Sequence, residues 1–288
     1  MYTNNATRKH PGLVVLMIDQ SGFMDDISPV SGKTYAVVAA EYINMLLTEM
    51  VNIATKPVGD DYEEVRDYQY VVILGYGCEP ENQATILYKG YLSDIANEYK
   101  IEEIATINGL SLHGYRIVEP ISGYLTPMAS AFQLAKQMIN EWKKCGRDGE
   151  EDPSPIIINI TGSAPTNEEG YPTEESLAET AKEAREIMGI SFPDGSPRIF
   201  NILISQLNGN EVRFPDNTNA LGEDPFAQFL YDISSQMTDD LMEAISARGL
   251  GNPTINSRML FVGEISIYIF LISISSMCYH PKWRPKFR

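Results

Sequence analysis

Apolar runs and amphipathic stretches alternate along most of the chain. Leu13–Asp19 reads LVVLMID, an unbroken apolar run of the kind a strand covered on both faces requires. A helix is predicted from about Lys33 to Ala54, where apolar residues recur every three or four positions. Tyr68–Gly77 reads as a second strand, and residues 84–118 as a third strand with a long excursion. TPMASAFQLAKQMINEWKKC, from Thr126 to Cys145, has the form of a helix with Thr126 at the cap and Pro127 in the first turn. The remaining elements are a strand in SPIIINITG, an amphipathic helix in EESLAETAKEAREIMGI and a strand in RIFNILISQ. One long helix over residues 224–249, the strand RMLFVG and a last helix complete the series.

This alternation predicts an α/β fold: a doubly wound, mostly parallel central sheet with helices on both faces. The expected division is a flexible lead-in over residues 1–12, a single domain over 13–277 and a basic tail over 278–288. In such sheets ligands gather beyond the carboxyl ends of the strands, where the strand order reverses. Three loops meet that description: those after Asp19, before Thr126 and after Thr161. The acidic stretch GRDGEEDP, residues 146–153, is read as a solvated loop and nothing more.

Composition narrows the function classes. The 288 residues carry a formal charge of −17, which disfavours nucleic-acid partners because phosphate backbones are bound by clustered Lys and Arg. The tail HPKWRPKFR runs the other way, with four basic residues interleaved with Trp283 and Phe287; it reads as a solubilising end or a dock for an acidic partner or anionic surface. The three cysteines (Cys78, Cys145, Cys278) and three histidines (His10, His113, His280) make no zinc-binding pattern and suit a reducing compartment. A polar N-terminus makes the cytoplasm the expected location. Residues 259–278 form an apolar run of bilayer-spanning length, diluted by four serines and Glu264, so a membrane tether is an alternative.

Two motifs invite chemistry. SGKT, Ser31–Thr34, opens a helix as a phosphate loop does, but Ile27 stands where the first glycine of that loop belongs, and Asp25 and Asp26 would repel phosphates. The expectation is that Ser31 caps the helix, with nucleotide binding as the alternative. No serine–histidine–acid or reactive-cysteine arrangement emerges, so an enzyme is not expected. The second motif is MIDQSGFM, Met17–Met24, at the end of the first strand.

Taken with GYLTPMASAFQLA and PIIINITGSAPT, LVVLMIDQSGFM resembles the strand and DxSGSM loop of von Willebrand factor A domains. The other two segments resemble that family's TPM helix start and its ITDGxPT loop, and SRMLFVGEISIYIFLIS resembles the closing strand and helix of a bacterial subgroup. The resemblance implies a metal-ion-dependent adhesion site for Mg2+, or Mn2+ or Ca2+, in which hydroxyls ligate directly and carboxylates hold ligand waters. Asp19, Ser21 and Thr126 match its pattern. Phe23 stands in place of the second serine and Gly162 in place of the second aspartate, so the site is expected to be degenerate and metal binding weakened or lost. Gln20, Gly22, Phe23, Tyr124, Gly162 and Ser163 are the expected interaction-loop residues. The implied role is a bacterial signalling adaptor whose partner is a protein kinase, a PP2C-type phosphatase or a MoxR-type ATPase. Read without the resemblance, Asp19 and Ser21 bond their own turn and Thr126 is a helix cap.

Overall fold

The computed structural model describes residues 2–59, 62–78, 83–107, 109–204, 211–247, 249 and 251–264. The expected last helix and the basic tail lie outside them. In chain order the elements are β1 (Gly12–Asp19), α1 (Tyr35–Ala54), β2 (Thr55–Pro57), β3 (Glu63–Val65), β4 (Gln69–Tyr76), β5 (Ala84–Tyr91) and α2 (Leu92–Glu98). They continue with β6 (Ile101–Ile107), β7 (Leu110–Tyr115), α3 (Met128–Lys144), β8 (Ile156–Thr161), α4 (Glu174–Met188) and β9 (Arg198–Leu203). β10 (Val212–Arg213), α5 (Pro225–Asp232), α6 (Asp239–Ala247) and β11 (Leu260–Val262) follow.

Seven strands form the central sheet in the order β10-β11-β9-β8-β1-β4-β5. The five inner strands are parallel, and β10 and β5 are antiparallel edges. All eight residues of β1 are buried, and alternate ones face opposite layers. Val14, Leu16 and Ile18 pack towards α1, α2 and α6; Leu13, Val15 and Met17 pack towards α3, α4 and α5. Helices therefore cover both faces, and the fold is doubly wound. From β1 the chain goes to β4 on one side and later to β8 on the other, so the switch point lies beside β1.

Several expectations change. The helix expected over residues 224–249 is two: α5 stops at Asp232 and α6 starts at Asp239. Between them Ser235 bonds Ile199 through both its backbone N–H and its hydroxyl, and Met237 N–H donates to Ser257 O, so this backbone serves the sheet edge instead of a helix. The excursion over 84–118 resolves into β5, α2 and a β6–β7 hairpin packed on α1. The acidic loop is more than a solvated turn. Its Asp152 is buried, pairs with His10 Nδ1 at 2.8 Å and accepts from Gly149 N–H. The lead-in expected to be flexible makes defined contacts: Thr3 and Asn4 N–H donate to Asp194, and the Tyr2 hydroxyl donates to Ser196 O.

Among the described residues, only α1 is long and apolar enough to cross a membrane, and most of its residues are buried inside the fold. β11 takes the start of the apolar run 259–278 into the sheet, with Met259 to Val262 fully buried.

Candidate functional site at the switch point

β1 and β8 are neighbours in register, so Asp19 and Thr161 end side by side at the carboxyl edge of the sheet. The Gly77–Cys78 turn after β4 lets the third loop approach. Gly77 has φ +100°, and a β-carbon there would run into the Leu125 carbonyl and lie 2.9 Å from Ser21 N. Tyr124 N–H then donates to Gly77 O (2.6 Å), Gly22 N–H to Tyr124 O (2.9 Å) and Gly123 N–H to Gln20 O (2.8 Å). These bonds stitch the loop before Thr126 to the loop after Asp19.

Asp19, Ser21, Thr126 and Ser163 meet beneath that stitching, and all four are buried. Four donors converge on the Asp19 carboxyl. Ser21 N–H reaches Oδ1 at 2.9 Å, while the Thr161 hydroxyl (2.9 Å), Gly162 N–H (3.2 Å) and the Ser163 hydroxyl (3.2 Å) reach Oδ2. Burial pushes the Asp19 carboxyl above its ordinary range, and the bonds from Ser21, Thr161 and Gly162 pull it back in part. Ser163 Oγ also lies 3.0 Å from Thr126 Oγ1 and 3.4 Å from Ser21 Oγ. Thr126 N–H donates to Thr166 Oγ1 (2.9 Å), and Thr126 O accepts from Met128 N–H and Thr166 N–H.

Thr126 is thus no helix cap. α3 starts at Met128 with Pro127 in the cap position, and Thr126, one residue earlier, turns into the junction. Gln20, expected on the interaction surface, is buried instead; its side-chain oxygen has no hydrogen-bond partner among the described residues. Phe23 and Tyr124 do face outward, 48% and 59% exposed. Met24 is fully buried, and its sulfur lies 2.9 Å from where a β-carbon on Gly162 would sit, so the missing acid's place is filled by a thioether. Thr161 and Thr166 were not singled out in the sequence. The strand pattern of IIINIT, which places Thr161 level with Asp19, was the available signal for the first.

A polar hydrogen-bonded ladder underlies the junction on the α3–α5 side. The Tyr76 hydroxyl donates to Asn159 Oδ1 (2.9 Å), Asn159 Nδ2 to Asn201 Oδ1 (3.0 Å), and Asn201 Nδ2 to Ser234 Oγ (2.9 Å). Burial, with Asp19 adding to it, pushes the Tyr76 hydroxyl well above the usual phenol range. Beside Thr126, between the starts of α3 and α4, a polar cavity of about 670 Å³ opens, with Gln133, Asn167, Glu175 and Glu179 among its walls.

The SGKT segment does something else. Thr34, not Ser31, caps α1 by accepting from Val37 N–H. Lys33 Nζ binds both oxygens of Glu41 (2.7 and 2.8 Å) and Thr106 O, tying the turn to α1 and the β6–β7 hairpin. Buried Ser28 donates to the buried carboxylate of Glu264, the last described residue, and accepts from Val30 and Ser31 N–H.

No known protein-family model matches the chain. No curated protein matches it either. Among solved structures it is similar to the pilus adhesin SpaC from Lactobacillus rhamnosus GG, over 96% of this chain, with a TM-score of 0.54 and 12% identity. The chain spans 31% of that adhesin's length. The N-terminal domain of TFIIH p34 aligns with 68% of this chain and 82% of its own, with a TM-score of 0.40 and 14% identity. At 12% identity the likeness to the adhesin shows the fold alone.

Proposed function

We propose that this chain is a non-enzymatic protein-interaction module of the von Willebrand A type, binding a partner protein through the loops at the carboxyl end of its sheet. The observation that carries this reading is a buried junction closed on itself beneath an outward-facing aromatic rim. Asp19, Ser21, Thr126 and Ser163 serve one another, the neighbouring Gln20 side-chain oxygen alone is buried without a partner among the described residues, and Phe23 and Tyr124 are what a partner meets. The rim is also acidic. Asp25 and Asp26 are exposed, and the two cations of the three loops, Lys33 and Arg116, are held by Glu41 and Glu102. The matching partner segment carries an apolar side chain beside Lys or Arg.

The junction fits a resident divalent cation poorly. It offers one carboxylate, on which four donors already converge, three of them on Oδ2, and the second acid is replaced by Gly162 and Met24. We therefore read binding here as metal-independent. A kinase, PP2C-type phosphatase or MoxR-type ATPase as partner rests on the family resemblance, and a cytoplasmic location on the sparse cysteines.

The alternatives have less behind them. A nucleotide site at SGKT lacks a free lysine. A membrane tether loses length once β11 and buried Glu264 are part of the fold. Residues 265–278 number fourteen, about 21 Å as a helix against an apolar core of about 30 Å.

The test is capture from native lysate with and without EDTA, using wild type and Phe23→Ser. Capture that survives EDTA, weakens with salt and is lost in Phe23→Ser supports the reading. Capture abolished by EDTA, or unaffected by Phe23→Ser, refutes it.

A further inference from the structure

We infer that Ser163 is the positioning residue of this face: its hydroxyl, instead of a cation, holds the three carboxyl-end loops together. The inference rests on the proposed function only for the use of the face; the geometry stands without it. As a carboxylate Asp19 can only accept, so the single Ser163 hydroxyl proton goes to Asp19 Oδ2. That leaves its oxygen free to accept from Thr126 at 3.0 Å, with Ser21 Oγ in longer contact at 3.4 Å. The one hydroxyl thus joins its own loop to two other chain segments, the end of β1 and the entry to α3.

The partners come from two places in the chain: the end of β1 with the loop that follows it, and the entry to α3. Thr161 reinforces the arrangement from β8, since its Oγ1 lies 2.9 Å from both Asp19 Oδ2 and Ser163 O. Ser163 is 7% exposed and Ser21 and Thr126 are fully buried, so water competes little for these bonds. A side chain on Gly162 would have to displace the Met24 sulfur, and none is present to compete with Ser163 for the centre of the junction. Gln20 and Phe23, on either side of Ser21, face opposite ways, one buried and one exposed. The orientation of Phe23 therefore follows from how Ser21 is pinned, and Ser163 is one of the groups that pin it.

The experiment is amide hydrogen exchange on the intact chain, read at peptides covering residues 20–24 and 122–126, with β4 and α3 as internal references. It uses wild type, Ser163→Ala and Ser163→Thr, each with millimolar Mg2+ and with EDTA. Ser163→Ala is expected to speed exchange of both loops about tenfold, with the references unchanged. Ser163→Thr, which keeps the hydroxyl, is expected to stay near wild type, and Mg2+ is expected to leave the wild-type loops unaltered. Equal loop protection in Ser163→Ala and wild type overturns the inference. So does slower exchange of the wild-type loops in Mg2+ than in EDTA. If Ser163→Ala does not fold, Thr126→Val, which removes one bond to Ser163, is expected to loosen residues 122–126 alone, and no loosening there overturns the inference. These readouts involve no partner, so failure to capture one would refute the functional reading and leave this inference standing.

Discussion

Replacing Asn159 by alanine should destabilise the fold far more than its size suggests. Asn159 is fully buried in β8 and sits mid-way along the ladder from Tyr76 to Ser234. Its removal orphans two buried groups, the Tyr76 hydroxyl and Asn201 Oδ1. Each costs about 1–3 kcal/mol, so a total near 3–4 kcal/mol is expected. That is a sizeable share of the roughly 5–15 kcal/mol that holds a typical domain folded. Tyr76→Phe alone orphans one group, Asn159 Oδ1, and should cost about 1–2 kcal/mol. In the double variant only Asn201 Oδ1 is left without a partner. Its cost should then fall short of the sum of the two single costs by about 2–4 kcal/mol, because two of the orphaned groups are gone. Urea unfolding of the four proteins, followed by circular dichroism, measures this directly through the midpoints at constant slope. Additive costs, or an Asn159→Ala cost below about 1 kcal/mol, would refute the view that the ladder is fully satisfied and mutually dependent.

Other expectations are simpler to check. Phe23→Ser should leave stability within about 0.5 kcal/mol of wild type, because the ring is half exposed, so any lost capture reads as lost contact. Ser28→Ala should cost about 2 kcal/mol in urea unfolding, since it leaves the buried Glu264 carboxylate without this donor. Lys33→Ala should show the same thermal response to added nucleotide as wild type, namely none; a nucleotide-dependent rise lost in the variant would revive the phosphate-loop reading. The Lys136 pairs with Glu183 and Glu186 link α3 to α4. Bonding to Lys136 holds the Glu186 carboxyl below its usual range, so that stabilisation is present above the ordinary carboxylate pKa and lost as pH falls through the lowered one. Lys136 itself is raised, chiefly by bonding to Glu183 and then Glu186. Its contribution is complete below the ordinary lysine pKa and lost as pH climbs through the raised one. Lys136→Met should therefore flatten the melting temperature at both ends of a pH series.

What the sequence made legible was what local patterning controls. The unbroken apolar run of β1 announced a strand covered on both faces, and its alternate residues do face two separate helical layers. Asp19, Ser21 and Thr126 were legible as a group only through the resemblance to the von Willebrand A pattern; local patterning put them in loops beyond a strand end or before a helix start. Local patterning failed where tertiary partners decide. The periodicity of residues 224–249 is helical throughout, yet Ser235 and Met237 are claimed by β9 and by the segment before β11, and no local signal encodes that competition. Thr126 looked like a cap because the residue type and the following proline agree, but Thr166 and Ser163 hold it one residue before the helix.

Phe23 and Gly162, the two departures from the metal-site pattern, are coupled through their neighbours. With no side chain on Gly162, the Met24 sulfur can pack against it, and Phe23, next in the same turn, points to solvent. Restoring an aspartate at 162 alone would place a second carboxylate beside the Met24 thioether and close to Asp19, a costly burial. The lost acid, the buried methionine and the exposed phenylalanine thus form one consistent arrangement. On the proposed reading, hydrogen bonds on Ser163 and Asp19 order these loops in place of an ion, and the exposed ring is the apolar group a partner would meet.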